Sequence, residues 1–337
     1  MTKILQSRAR FIQIDSLRGI AAVVVMLHHF IAIYDRDFKH SFFVPPVFNY
    51  GFYGVELFFI ISGFVIYQSI QFSRSAKDFL LKRAIRLYPA YLLCALLTFL
   101  VVHFFPLNEF RNTSVQELVI NLTMLNGLFK VKAVDPSYWS LLVELFFYLM
   151  IAMLLITKLS RYIYLFLSLW LLLLLFYNTL YKVPGLGAFF NLRYGSLFIS
   201  GICFYKIRIE NDRSNNIFLL LSLSFVFSLF VLRDLDFSSI AIPVIYAIFI
   251  IGIFLDFRLL QNSVLVFFGS ISYPLYLIHQ NIGFVIINEI RKAGLTQPIL
   301  LIFPIAISVL TAWLIAAYYE KVAIKFLHSI FFRRVQK

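Results

Sequence analysis

Long apolar runs constrain this sequence more than any other feature, because each is long enough to cross a lipid bilayer as a helix. A transmembrane helix needs about 20 mostly apolar residues. Only 14% of the residues are charged, whereas a typical soluble domain has about 25%. We therefore predict an all-α, polytopic membrane protein with about ten transmembrane helices. The predicted spans cover residues 12–34, 52–70, 84–105, 138–157, 162–181, 188–207, 216–232, 238–255, 265–288 and 299–319.

The distribution of positive charge predicts the orientation in the membrane. The net charge of +14 is spread over short segments between the apolar runs, which argues against a nucleic-acid-binding surface. The connectors on one side contain eighteen Lys and Arg residues, and those on the other side contain nine. Because cytoplasmic loops of membrane proteins are enriched in these residues, both termini are predicted to be cytoplasmic.

The sequence predicts one membrane domain, residues 1–320, and a basic cytoplasmic tail, residues 321–337, that lies against anionic lipid headgroups. We expect the first span to be retained, because no small-residue cleavage site follows it. Residues 115–131 are apolar but contain Glu117 and two asparagines, so we interpret them as a re-entrant or interfacial segment. Cys94 and Cys203 fall in different spans and are predicted to be core residues, with no disulfide and no metal site.

Polar side chains mark the predicted cytoplasmic side of the bundle. Asp15 and Arg18 open the first span, and three basic residues open the third. These three are Lys82, Arg83 and Arg86, and spacings of three and four residues place them on one helix face. Such a face can anchor to lipid phosphates, or it can bind the phosphate of a ligand, for which a guanidinium is well suited.

Four ionisable residues lie deeper, toward the predicted outer side: His29, Glu56, Glu144 and His279. His29 follows Arg18 by eleven residues, so helical geometry places the two on one face, about 16 Å apart along the axis. Ionisable groups within a membrane normally face a bundle interior or a water-filled cavity. Each of the four could be a structural tie, but together they predict a cavity open to the outside. A carboxylate beside a histidine would raise its basicity, as a general base requires, and the sequence leaves the pairing open.

Most of these residues fall within five short motifs. The motifs are DSLRGIAAVVVMLHH (15–29), GVELFFIISGF (54–64), RAIR (83–86), WSLLVELFFY (139–148) and GSISYPLYLIH (269–279). In this order they resemble the acyltransferase 3 family of integral-membrane acyltransferases, through the Arg-x10-His spacing of the first motif and the Arg-x-x-Arg motif of the third. Position 56 is Glu where family members often have Asp, which keeps the charge. The resemblance covers nearly the whole chain.

The resemblance implies transfer of an acyl group, often acetyl from acetyl-CoA. The implied acceptor is a sugar hydroxyl of a surface polysaccharide or of its lipid-linked precursor, and the implied location is the bacterial cytoplasmic (inner) membrane. His29 is implied to be essential, either as a general base or as a transient carrier of the acyl group. The residues implied to serve the acyl-CoA donor are Arg18, Arg83 and Arg86, with Lys82 beside them. The candidates for orienting His29 or the acceptor are Glu56, Glu144 and His279.

Some family members carry a C-terminal extracytoplasmic SGNH domain that handles the acceptor, and we expect none in these 337 residues. Either the membrane domain completes the transfer, or a separate extracytoplasmic acyltransferase partner does. Three alternatives stay open at this point. Polar groups at two depths would also suit a transporter or flippase for a lipid-linked glycan, the chain could be a non-catalytic membrane scaffold, or the acceptor could be an amine.

Overall fold

The computed structural model describes residues 11–179, 187, 190–233, 235, 237–255 and 257–332. It is 80% helical, and the described residues contain no β-strand, which confirms the all-α class. Helices satisfy the backbone polar groups internally, as lipid requires. The helices are α1 (Ile12–His28), α2 (Tyr34–Phe38), α3 (Gly54–Ile70), α4 (Ala76–Phe104), α5 (Val115–Asn121), α6 (Trp139–Ile156), α7 (Ile163–Thr179), α8 (Gly195–Arg208), α9 (Asn215–Val231), α10 (Ser238–Phe254), α11 (Ser263–Lys292), α12 (Ile302–Leu314) and α13 (Lys321–Phe332).

Among the described residues, six helical segments are long and apolar enough to cross a membrane, which agrees with a polytopic membrane protein. Two more apolar helices, α9 and α10, have 17 residues each, a length at the lower limit for a span. Helix α8 has 14 residues and rises only about 21 Å, so the predicted count of ten spans is not confirmed. Residues 180–181 and 188–189 of the predicted spans lie outside the described residues. The six segments are Ile12–Phe38, Pro46–Ile70, Ala76–Phe104, Pro136–Ile156, Leu159–Thr179 and Pro298–Phe332.

The contacts divide the chain into two units, and each is described by itself. The first unit comprises Met1–Ala21, Tyr53–Leu81 and Val143–Val266. The second unit comprises Ala22–Phe52, Lys82–Leu142 and Phe267–Lys337. The predicted tail from residue 321 is helical as far as Phe332, and its last five residues lie outside the described part of the chain.

In the first unit, α3 and α8 pack closely through two glycines. A Cβ atom at Gly63 would lie 2.2 Å from the Phe198 carbonyl oxygen, and one at Gly201 would lie 2.1 Å from the Ile60 carbonyl oxygen. Only residues without a side chain allow two backbones to approach this far, a recurring feature of packed membrane helices.

Buried hydroxyl groups join α8, α9 and α10 in the same unit. The Ser200 Oγ and the Tyr246 hydroxyl lie 2.5 Å apart, and Ser228 Oγ donates to Ser196 Oγ at 3.0 Å. Side-chain hydrogen bonds of this kind contribute about 0.6 kcal/mol each to the association of membrane helices. The cluster therefore holds three apolar helices in a defined register.

In the second unit, α11 is buried along most of its length between residues 269 and 287. Pro274 removes one backbone N–H from this helix, and hydrogen bonds join the helix to the turn before α6. Tyr138 donates from its hydroxyl to the Leu277 oxygen at 2.9 Å, and the Tyr276 hydroxyl donates to the Ser137 carbonyl oxygen at 2.7 Å. The turn before α6 is thereby fixed against α11.

Residues 115–131 form only a short helix, α5, followed by turns. A capping box begins this helix, in which Glu117 N donates to Ser114 Oγ at 3.2 Å and Ser114 N donates to Glu117 Oε2 at 2.7 Å. The bond from the Ser114 N–H lowers the pKa of Glu117. Seven helical residues rise about 10 Å, which is too short to cross a bilayer, as expected for a segment that does not span it.

Candidate active site

Two histidines are in direct contact inside the second unit. His29 Nδ1 lies 2.6 Å from His279 Nε2, and the two rings stack with their centroids 4.9 Å apart. His279 is fully buried, whereas His29 is partly exposed and lines a cavity. The side chain in contact with His29 is therefore a second histidine rather than a carboxylate.

The hydrogen bonds around His279 define the tautomers of both rings. Its Nδ1 lies 3.0 Å from the Leu275 carbonyl oxygen and 2.9 Å from that of Tyr276. A carbonyl oxygen can only accept, so Nδ1 carries a proton, and a neutral His279 has its lone pair on Nε2. The neutral form is favoured because an imidazolium is costly to bury. His29 Nδ1 then donates to this lone pair, which leaves the His29 lone pair on Nε2, in the tautomer that a general base needs.

The backbone departs from the α-helix at His29. Helix α1 ends at His28 and continues as a π-helical turn, His29–Ile33, a feature that is frequent at functional sites. Phe30 packs against α11 at Gly283, where a Cβ atom would lie 2.1 Å from the Phe30 ring. The missing side chain of Gly283 therefore lets this turn approach α11 closely enough for His29 to reach His279.

His40 fixes the end of the same helical segment. Its Nε2 donates to the Phe30 carbonyl oxygen at 2.9 Å, and its backbone N donates to Asp35 Oδ1 at 2.8 Å. Burial lowers the pKa of His40, so the ring is neutral near pH 7 and donates through one nitrogen. This arrangement holds the π-helical turn from its C-terminal side.

A buried carboxylate, Asp135, braces α11 next to His279. Its Oδ1 accepts from Ser137 N at 2.9 Å and from Ser137 Oγ at 2.7 Å, and its Oδ2 accepts from Asn281 N at 2.9 Å. These three donors satisfy a fully buried charged group. Asp135 is also close enough for its charge to act on His279, so it is a carboxylate that the second unit places beside the histidine pair.

The cavity beside His29 has a volume of about 790 Å³, which is within the usual range of ligand pockets, about 300–1,000 Å³. Trp139 and Phe110 line it as exposed aromatic side chains. Gln280, which follows His279, also lines it, and its buried Oε1 has no hydrogen-bond partner among the described residues. The cavity is thus large enough for a small organic molecule to reach His29, and its wall has aromatic and polar surfaces.

Arg111 is a buried cation in the wall of this cavity. It is 5% exposed. Its Nη2 donates to Asp37 Oδ2 at 2.5 Å, and its Nη1 donates to Asn281 Oδ1 at 2.7 Å. The guanidinium carbon also lies 4.5 Å from the centre of the Phe284 ring. Asp37 also forms a salt bridge with the more exposed Arg36. The two arginines and the aspartate together have a net charge of +1.

The two carboxylates selected from the sequence lie in the first unit. Glu144 Oε1 accepts from Tyr148 at 2.6 Å and from Ser62 Oγ at 3.1 Å, which ties α6 to α3. Glu56 is 2% exposed, and within the described part of the chain its Oε2 has no hydrogen-bond partner. Their assignment to catalysis stays a prediction.

The predicted donor-binding residues are divided between the two units. Arg18 lies on α1 in the first unit, whereas Lys82, Arg83 and Arg86 lie on α4 in the second. Arg86 forms a salt bridge with Glu320, a buried residue that the sequence analysis did not select. The other three also have interaction partners. Binding of the donor by this set stays a prediction.

Sequence reasoning missed Asp135 and Arg111. Asp135 precedes Pro136, and an Asp-Pro pair is a known signal for a capped turn, so the turn could have been found. Arg111 stands in a connector, where it was counted only as a loop charge. Its burial depends on Asp37 and Asn281, which lie far from it in the sequence, and no local pattern predicts that contact.

The described residues thus form a helical protein with a histidine pair beside a cavity, and comparison with known proteins defines its class. Residues 11–318 match the family model described as an acyltransferase domain. The chain therefore belongs to the acyltransferase 3 family, as its motifs predict, and it is an acyltransferase. This result favours an enzyme over the transporter and the scaffold.

Two viral proteins are similar in sequence. The chain is 26% identical over 290 residues to ORF330 of Acidianus two-tailed virus, which is provisionally assigned as an acetyltransferase. The match covers 79% of this chain and 82% of that protein. It is also 30% identical over 130 residues to the O-acetyl transferase of Shigella phage Sf6, over 39% of this chain and 38% of the phage protein. No solved structure matches the chain.

Proposed function

We propose that the protein is an O-acetyltransferase of the bacterial cytoplasmic membrane. It transfers acetyl from acetyl-CoA to a sugar hydroxyl of a surface polysaccharide or of its lipid-linked precursor. The observation that carries the proposal is the contact between His279 and His29, which lines an open cavity, in a chain of the acyltransferase family. The names of the two viral relatives support acetyl as the group transferred.

His29 Nε2 is the group we assign to acid–base chemistry. His279 holds the proton of His29 on Nδ1, so Nε2 is free to take the proton of an acceptor hydroxyl as the oxygen attacks the thioester. General-base catalysis by a positioned side chain contributes about 10²–10⁴-fold to a rate. Transient acylation of His29 would use the same lone pair, and it would be detected as a burst of free CoA before product forms.

The donor is assigned to the cytoplasmic basic residues. Arg86, Arg83, Lys82 and Arg18 supply positive charge suited to the phosphates of CoA. The salt bridge between Arg86 and Glu320 orients one guanidinium before any ligand binds. Glu56 and Glu144 are kept as candidates for positioning the acceptor.

The acceptor is assigned to the cavity beside His29. Its aromatic wall, with Trp139 and Phe110, and its polar groups are of the kind that bind the apolar faces and the hydroxyls of a sugar. Transfer is completed either by this chain or with a separate extracytoplasmic acyltransferase.

The proposal is tested by an assay of the purified protein in lipid nanodiscs, incubated with ¹⁴C-acetyl-CoA and total lipid-linked glycan. The wild type should release CoA and form an alkali-labile acetyl product, and His29→Ala should form none. His103→Ala, which changes an exposed histidine on α4, is the matched control and should keep full activity. Equal product from wild type and His29→Ala would overturn the assignment of His29. No acetylated product from the wild type would overturn the donor and acceptor assignment.

A further inference from the structure

Arg111 is more firmly held than a loop arginine needs to be. Asp37 and Asn281 each accept one of its N–H groups, and Phe284 lies against the guanidinium. Asn281 is itself fixed, because its Nδ2 donates to the Val134 carbonyl oxygen at 2.9 Å and its N donates to Asp135. The guanidinium therefore has one defined position.

The position of Arg111 brings it to the reacting region. Arg111 and His29 line the same cavity, and the charge of Arg111 is close enough to act on the His29 ring. A guanidinium has five N–H donors, and the bonds to Asp37 and Asn281 use two of them. A hydrogen-bond donor that is fixed in one position beside the reacting groups is the arrangement that stabilises charge developing in a transition state.

We propose that Arg111 is a catalytic residue that donates a hydrogen bond to the oxyanion formed during acyl transfer, a role that rests on the proposed function of His29. The acceptor oxygen bonds to the thioester carbon, its proton passes to His29 Nε2, and the carbonyl electron pair moves to the oxygen. Arg111 stabilises this oxyanion. The C=O bond then re-forms, the C–S bond breaks, and the departing thiolate takes the proton from His29, which yields the O-acyl product and free CoA.

The alternative is that Arg111 only ties the loop after α4 to α11. The two roles are separated by a pair of donors, acetyl-CoA and fluoroacetyl-CoA, because the fluorine withdraws electrons and stabilises the oxyanion without help from the protein. Loss of an oxyanion donor should therefore reduce kcat with acetyl-CoA more than with fluoroacetyl-CoA. Loss of a structural tie should reduce both by the same factor.

The test measures kcat and KM for both donors with wild type, Arg111→Gln and Arg111→Lys in nanodiscs. We expect Arg111→Gln to lower kcat with acetyl-CoA by about 10²–10³-fold, the usual effect of losing one oxyanion donor. The loss with fluoroacetyl-CoA should be smaller. Arg111→Lys keeps the ion pair with Asp37 and should give an intermediate ratio of the two kcat values. If Arg111→Gln does not reach the membrane, the ratio for Arg111→Lys decides.

An unchanged ratio in the variants, or a change in KM alone, would overturn the role of Arg111 while leaving the proposed function in place. A wild type that transfers acetyl to no acceptor would instead refute the proposed function and this inference with it.

Discussion

The contact between His29 and His279 makes a quantitative prediction, because it assigns the two rings different tasks. His279 is fully buried and is not part of the cavity wall, so it acts on the reaction through His29. His279→Phe removes the acceptor for the His29 Nδ1–H and keeps an aromatic ring of similar size. The variant should lower kcat and leave KM for both substrates close to the wild-type values.

The magnitude follows from the bond that is lost. A buried N–H left without a partner costs about 1–3 kcal/mol, so His29 shifts toward the tautomer that places its proton on Nε2. This cost corresponds to a reduction of about 5- to 150-fold in the competent form. The upper bound is loss of general-base catalysis altogether, about 10²–10⁴-fold.

The assay is steady-state acetyl transfer in nanodiscs, together with thermal unfolding to compare the stability of each variant. His279→Gln can still accept from His29 through its amide oxygen and should recover part of the lost kcat. His28→Asn is the matched control, because His28 is a buried histidine whose Nδ1 lies 2.7 Å from the Phe48 oxygen, which the Asn amide can also reach. A His279→Phe protein that is folded and has the wild-type kcat would refute the account of this pair.

Three further predictions concern the packing and the capping of the helices. Gly283→Ala should force Phe30 away from α11 and lower activity, at a cost of about 1–3 kcal/mol in stability, measured by thermal unfolding and acetyl transfer. Gly201→Ala should lower the stability of the fold by about 3 kcal/mol or more. Its Cβ would meet the Ile60 carbonyl oxygen, and this atom belongs to the backbone, so it cannot move aside alone. The yield of folded protein measures the effect. The pKa of Glu117 is lowered in the folded state. Its contribution to the stability of α5 is therefore present above its unfolded pKa and is lost as the pH falls through the folded pKa. Reduced protection of residues 115–121 from hydrogen exchange in acid would report this loss.

Each of these predictions has a control. Gly294→Ala meets no atom within 4 Å, so it should cost only the strain of a positive φ, about 1–2 kcal/mol, and leave activity unchanged. Equal stability losses at all three glycines would contradict the packing argument. Glu117→Gln removes the titrating group, so its α5 should show no acid-dependent step, and persistence of that step would show that another group causes it.

The fold class could be predicted from the sequence because lipid allows few alternatives. Apolar runs of sufficient length must be helical to satisfy their backbone groups, and all ten predicted segments contain helix where the structure describes them. The glycine contacts could not be predicted. Whether Gly201 or Gly283 is a close contact depends on which helix lies against it, and periodicity within one helix does not contain that information.

The candidate site was only partly predictable for the same reason. His29 and His279 could be selected, because an ionisable group within a span is costly and suggests a function. Their direct contact follows from the π-helical turn at His29 and from Gly283, neither of which a regular helical projection includes. Arg111 was missed because a charged residue in a connector has an ordinary explanation.

The most direct test of the central claim compares the surface glycan of cells that carry the intact gene with that of cells that carry His29→Ala, by NMR spectroscopy. We expect an ester-linked acetyl signal that mild alkali removes and that the variant lacks, with both proteins present in the membrane. Identical spectra would contradict the claim that His29 catalyses O-acetylation of this glycan.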